Sequence, residues 1–111
     1  MSKSKFVSTH NKGFQMTFEN GFRISVQWGI GNYCQRKEDS EYGKSMKTEF
    51  WESLSAEIAV FGKDREFITI TNHPDVVAGW LTTDKVAKCI TIVQSSTTKE
   101  EIETKLKALN I

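Results

Sequence analysis

Proline, cysteine, histidine and net charge are all scarce in this chain of 111 residues. A single proline and an ordinary share of charged residues exclude a proline-rich linker and a long disordered tail. Lys and Arg number 15 against 14 Asp and Glu, so no net field draws the whole protein onto nucleic acid or an anionic membrane. No apolar run approaches the roughly 18 residues of a membrane span, so we expect no membrane association.

The few cysteines and histidines fit none of the usual metal or nucleophile patterns. Cys34 and Cys89 are far apart, and the N-terminal MSKSK lacks the apolar segment of a signal peptide, which predicts reduced thiols in a cytosol. Together with His10 and His73 they match no zinc-ligand spacing, so we expect neither a metal nor another cofactor.

Catalysis would need a base beside Cys34 and a lowered thiol pKa. Nothing in the sequence brings either histidine to that cysteine. We therefore assign no catalytic residue and favour a protein that is not an enzyme. A cysteine-dependent enzyme is kept as an alternative.

What the chain does have is a stretch in which apolar and polar residues alternate. The apolar positions are Phe14, Met16 and Phe18, then Phe22, Ile24, Val26 and Trp28. Such alternation predicts two strands that each bury one face. Asn20-Gly21 lies between them and predicts a two-residue hairpin with a type I′ turn.

The rest of the chain predicts more strands and then helices. Residues 1–12 are expected to fray unless they pair with a sheet edge, and residues 35–49, which lack periodicity, predict a long exposed loop. A second strand pair is expected at residues 50–60 and 66–71. Residues 76–81 predict a fifth strand or an extended connector.

Helical signals follow at the end of the chain. Thr82 or Thr83 can cap one helix, and Thr97 with Glu100, or Thr98 with Glu101, can form the capping box of another. Strands followed by helices predict one α+β domain over residues 1–111. We expect an antiparallel sheet of four to five strands with both helices packed on one face. The other face, polar in sequence, is either solvated or a binding surface.

The segment from Trp28 to Cys34, WGIGNYC, is the leading candidate site. Its glycines expose backbone N–H groups that could cradle an anionic or planar ligand, and its aromatic rings could stack on a base. The plainer alternative is that Gly29 and Gly31 end a strand while Trp28 joins the core. The expected ligand-binding residues are Arg23, Gln27, Trp28, Gly29, Gly31, Asn32, Tyr33 and Cys34.

The sequence contains two further candidate surfaces. Cations between Arg23 and Lys47 occur near aromatic residues, a mixture typical of single-stranded nucleic-acid binding. Acidic residues interleave with them, so a solvated, charge-balanced loop is favoured and a nucleic-acid partner is not. Trp51 and Phe61 have the same odd numbering as the polar positions of their predicted strand, which places them on its polar face. They either form an exposed aromatic patch or return to the core through a bulge.

Several blocks of the sequence resemble one group of proteins. These blocks are FENG (18–21), ISVQWG (24–29), GNYC (31–34), AEIAV (56–60) and VAGWLT (77–82). Between about residues 14 and 93 the chain is similar to small tailed-bacteriophage proteins that have no established activity. The resemblance implies a phage-encoded accessory protein in the host cytoplasm, with host takeover or anti-defence as its setting.

These observations favour a binding module that either sequesters a small ligand or blocks a host protein. Nucleotide-like molecules are among the ligands expected, and a homo-oligomer is one expected form. The first alternative is a single-stranded nucleic-acid-binding protein, and the second is the cysteine-dependent enzyme.

Overall fold

The computed structural model describes residues 4–9, 12–29 and 52–111. In these ranges the chain forms five strands and then two helices, and the strands make one antiparallel sheet in sequential order. This confirms the predicted α+β class. The elements are β1 (Lys5–Ser8), β2 (Gly13–Thr17), β3 (Arg23–Gln27), β4 (Ala56–Phe61), β5 (Val77–Leu81), α1 (Thr83–Ser95) and α2 (Lys99–Ala108). The loop predicted at 35–49 lies outside the described residues.

Strand β1 comes from the segment that was expected to fray or to pair with an edge. It pairs with β2 from Lys5 opposite Thr17 to Ser8 opposite Phe14. All its residues are exposed, and the Phe6 side chain retains 77% of its accessible surface. β1 therefore extends the sheet through backbone hydrogen bonds and buries little apolar surface.

The β2–β3 connection is a three-residue loop, so the prediction of a two-residue type I′ turn is wrong. Phe18 N donates to Phe22 O (2.9 Å), and Gly21 N donates to Phe18 O (2.8 Å). Gly21 has a φ of 90°, whereas Asn20 is not among the described residues of positive φ. A type I′ turn needs positive φ at both central residues, while a glycine after an ordinary turn closes a three-residue hairpin.

Asn20 instead fastens this hairpin to α1. Its Oδ1 accepts from Phe22 N (3.0 Å), while its Nδ2 donates to three carbonyls at the end of the helix. The carbonyls belong to Val93 (2.8 Å), Gln94 (3.1 Å) and Ser96 (2.9 Å). The last carbonyls of a helix lack partners within it. One amide therefore satisfies several of them from the far end of the sequence.

Both helices begin at threonine caps. The Thr82 hydroxyl accepts from a backbone N–H of the first turn of α1, and the Thr98 hydroxyl accepts from Glu101 N (3.1 Å). Of the two predicted capping boxes, the one at Thr98 and Glu101 forms. The Glu101 carboxylate accepts from Thr97 N (2.9 Å), one residue before the cap. Hydrogen bonds from Lys105 and Thr97 lower the pKa of Glu101 to about 2.

The segment between β4 and β5 departs from the prediction of a strand at 66–71. Phe67 forms an isolated bridge opposite Phe61, and Ile68 N still donates to Val60 O of β4 (2.9 Å). Beyond that point the segment leaves β4, because Ile70 N donates to Asp75 O (2.9 Å). Ile68 and Ile70 are nevertheless fully buried. On the side of β4 away from β3, the paired strand is β5.

One apolar core lies between the sheet and the helices. Its fully buried members come from β3, β4, the 62–76 segment and both helices. In the strands and helices they occupy the positions at which the periodicity of the sequence predicts burial. They are Ile24, Ile58, Val60, Ile68, Ile70, Cys89, Val93, Ile102 and Leu106.

The far face of the sheet, turned away from the helices, carries side chains in rows, because residues paired across antiparallel strands share a face. We call the first the cation–aromatic row; it consists of Lys5, Thr17, Arg23, Phe61 and Phe67. The middle row is Val7, Gln15, Ser25, Ala59 and Val77. The third is Gly13, Gln27 and Glu57.

Strand β5 contains a bulge beside the third row. Ala56 pairs with Leu81 and Ile58 with Ala78, so two residues of β5 lie opposite Glu57. The second of these two, Trp80, has a φ of 59° and is 58% exposed.

Candidate functional site

The sheet separates the expected site residues that the structure describes. Trp28 packs against the core on the helix side, whereas Arg23 and Gln27 belong to rows of the far face. The structure therefore does not bring these side chains together in one site. Gly29 follows Trp28, and the remaining expected residues, Gly31, Asn32, Tyr33 and Cys34, lie outside the described ranges.

Backbone geometry fixes the end of β3. Trp28 N donates to Lys12 O (2.6 Å), and Gly29 has a φ of 134°. A Cβ on Gly29 would lie 3.2 Å from Lys12 Cγ, which leaves almost no room for a side chain. A glycine is therefore required here by conformation and space, in line with the structural alternative that the sequence left open.

A cleft of about 860 Å³ lies beside Trp28, between the sheet and the first half of α1. Its apolar walls are Phe14, Val26, Trp28, Leu54, Ala56, Leu81, Val86, Ala87 and Ile90. Its polar lining groups are Glu52, Ser53, Ser55 and Thr83. The strand ends and the first turns of α1 thus enclose a space that is mainly apolar.

Two aromatic rings meet in the wall of this cleft. Phe14 pairs with Val26, so Trp28 is its diagonal neighbour on the same face. The rings of Phe14 and Trp28 are 6.4 Å apart at 72°, an edge-to-face arrangement. Both side chains are only partly buried, so they offer aromatic surface to an apolar or planar molecule.

The sequence predicts Phe14 and Val26 on the buried face of a strand and does not reveal the cleft. Phe14 and Ile90 have the periodicity of core positions, and nothing local indicates that the layers leave space beside them. Leu54 belongs to the segment 50–60 that the sequence predicts as a strand, which is wrong at this position, because β4 begins at Ala56 and Leu54 is 78% exposed. The signal available in the sequence was the position of Leu54, an apolar residue just before the start of β4.

Among the described residues the one cysteine is Cys89. Cys89 is fully buried in the core, and burial raises the pKa of its thiol to about 11, so it is a poor nucleophile at neutral pH. Over residues 4–9, 12–29 and 52–111, no cluster of three His, Cys, Asp or Glu side chains could hold a metal ion. Cys34 and His10 lie outside these ranges, so the cysteine-enzyme alternative stays a prediction.

The far face carries a second group of candidate residues. Arg23 donates from Nε to Thr17 Oγ1 (3.0 Å) and from Nη1 to Gln15 Oε1 (3.2 Å). Phe61 lies on this face and its ring is 4.7 Å from that of Phe67. Of the two aromatic residues whose orientation the sequence left open, Phe61 thus points away from the helices. Trp51 lies outside the described residues.

Comparison with known proteins adds no further guide to the site. In the described part of the chain, neither helix is long and apolar enough to cross a bilayer. No protein-family model matches the chain, and neither the curated proteins nor the solved structures contain a match.

Proposed function

We propose that this protein is a binding module that captures a small, mainly apolar ligand in the cleft between the sheet and α1. The observation that carries this proposal is the cleft itself, about 860 Å³ with an edge-to-face aromatic pair in its wall. Small-molecule sites are typically concave, mostly apolar spaces of about 300–1,000 Å³ with a few polar groups that orient the ligand. Both the size and the lining fit that description.

The lining indicates the class of ligand. Trp28 and Phe14 favour a ring or another flat apolar group, and the hydroxyls of Ser53, Ser55 and Thr83 can orient it through hydrogen bonds. None of the described lining residues is cationic, so a phosphate would find no arginine or lysine in the cleft. A neutral ring-containing molecule therefore fits better than the nucleotide-like ligand expected from the sequence.

The biological setting of the proposal comes from the sequence resemblance alone. Similarity to small phage proteins supports an accessory module that acts in the host cytoplasm, in host takeover or anti-defence. There, sequestration of a host metabolite or signalling molecule would need binding and no chemistry.

A thermal-shift screen against neutral ring-containing metabolites tests ligand capture, with a cleft-filling variant as its specificity control. Ala87 lines the cleft from the exposed side of α1, so Ala87→Trp should fill the space without displacing core residues. Lys88→Trp adds the same ring one residue later, at an exposed position outside the lining. Saturating ligand should raise the melting temperature of the wild type and of Lys88→Trp by several degrees, and that of Ala87→Trp hardly at all.

Two results would contradict the proposal. One is a panel in which no compound stabilises the wild type. The other is a ligand that stabilises Ala87→Trp as much as the wild type, since it would then bind elsewhere.

A further inference from the structure

The cation–aromatic row runs from β1 across β4 to Phe67, on the face opposite the cleft. Its five residues are in register from Lys5 on β1 to Phe67 beyond β4. Adjacent strands are about 4.8 Å apart, so the row is roughly 19 Å long. Its cations, Lys5 and Arg23, lie in one half, and its aromatic residues, Phe61 and Phe67, lie in the other.

Arg23 is held in place by neutral partners. Thr17 Oγ1 and Gln15 Oε1 accept from its Nε and Nη1, and among the described residues neither a carboxylate nor any partner for Nη2 contacts it. Arg23 is partly buried and these two bonds already orient its guanidinium, so binding an anion would cost little further side-chain entropy. Arginine suits phosphate oxygens because its N–H groups form a planar fork.

The aromatic half offers a surface for stacking. The Phe61 and Phe67 rings are 4.7 Å apart with an interplanar angle of 41°, and Phe67 is 53% exposed. Exposed aromatic rings on a sheet are the usual platform for unstacked bases. Phosphate-binding cations and base-stacking rings therefore occur side by side in one row.

We propose that this row binds single-stranded nucleic acid, with phosphates at Lys5 and Arg23 and bases against Phe61 and Phe67. Single-stranded nucleic acid matches both halves of the row, whereas a duplex keeps its bases stacked and hides their faces. The near-zero net charge of the chain predicts weak, salt-sensitive binding, because only the local cations attract the strand. The cleft lies on the other face of the sheet, so the two sites are independent.

Fluorescence anisotropy of short labelled oligothymidylate and oligouridylate, titrated with the protein at rising KCl, tests this site. Each neutralised phosphate contributes about −0.7 to the slope of log K against log salt, so two cations predict about −1.4. Arg23→Gln should weaken binding and reduce the slope to about −0.7. Phe67→Ala should weaken binding roughly tenfold and leave the slope unchanged, because it removes stacking and no charge.

Matched variants separate this site from the general surface. Lys88→Gln makes the same charge change on α1, and Phe6→Ala removes an exposed ring whose register partner, Met16, packs against the core. Both should bind like the wild type, as should the cleft-filling Ala87→Trp. Should Arg23→Gln perturb the fold, Lys5→Gln provides a second test, because Lys5 is exposed. It should reduce the slope of log K against log salt in the same way.

Three outcomes would overturn the proposal. The first is no anisotropy change for the wild type at low salt. The second is an equal loss of binding in Lys88→Gln and Lys5→Gln. The third is competition by a free mononucleotide as effective as by the strand, which would identify a site for single nucleotides.

Discussion

At the scale of single residues, Asn20 connects parts of the fold that no local pattern relates. Its sequence context, before a glycine and between alternating strands, predicts a turn, and a turn is formed. Its bonds to the end of α1 join residues 73 to 76 positions apart. Such a contact depends on where the finished sheet places the hairpin against the helix, so the sequence could not reveal it.

We expect Asn20→Ala to destabilise the protein by about 2 kcal/mol, because it leaves part-buried carbonyls of α1 and Phe22 N without their partner. Asn20→Asp keeps the acceptor for Phe22 N but points a carboxylate at the helix C-terminus, so it should lose at least as much at neutral pH. Urea denaturation of the variants measures both.

Asn72→Ala is the matched control for this prediction. Its amide also donates to a carbonyl at a helix end, Lys107 O (3.0 Å), but in an exposed position where water can replace it. The expected loss is below about 1 kcal/mol. Equal losses at Asn20 and Asn72 would show that the hairpin amide has no special role.

At the scale of elements, the periods of the sequence predict most of the architecture. Alternation in β2, β3 and β4 and the stripes of α1 and α2 identify which side chains face the core, because burial imposes those periods. The predicted strand at 66–71 fails for a different reason. Periodicity describes side chains, whereas a strand also needs backbone partners, and there Ile70 bonds to Asp75 instead.

The bulge in β5 is an element feature that the sequence hides. A glycine, Gly79, stands in this segment, but the left-handed residue is its neighbour Trp80, with a φ of 59°. Left-handed geometry is costly for a bulky side chain and cheap for glycine or asparagine. The bulge carries the chain from Ala78 to Leu81 with both on the helix side, and Leu81 then forms part of the cleft wall.

Replacement of Trp80 tests whether its backbone conformation is strained. Trp80→Asn should be at least as stable as the wild type, since Asn tolerates positive φ and the lost side chain is mostly exposed. Trp80→Val, which favours strands in general, should be less stable than Trp80→Asn by roughly 1 kcal/mol. The midpoint of urea unfolding distinguishes them, and a more stable valine variant would mean that the bulge had reverted to regular pairing.

At the scale of the whole molecule, the candidate sites were only partly accessible to sequence reasoning. The sequence assigns Trp28 and Arg23 to one ligand site, although the sheet lies between them. A strand's parity does place them on opposite faces, so that separation could have been read from the alternation. The cleft could not, because it is a space left between packed layers and leaves no period in the sequence.

The packing of the layers predicts how the molecule opens. Because one core joins β3, β4 and both helices, their amide protons should exchange with solvent through global unfolding, whereas those of β1, which is fully exposed, should exchange fastest.

Leu106→Ala removes a fully buried side chain of α2 at a cost of about 2–5 kcal/mol, so it should reduce protection in the sheet as much as in the helices. Phe6→Ala should change exchange at β1 alone. Native-state hydrogen exchange read by mass spectrometry measures both, and a Leu106→Ala effect confined to α2 would instead mean that the C-terminal helix opens as a separate unit.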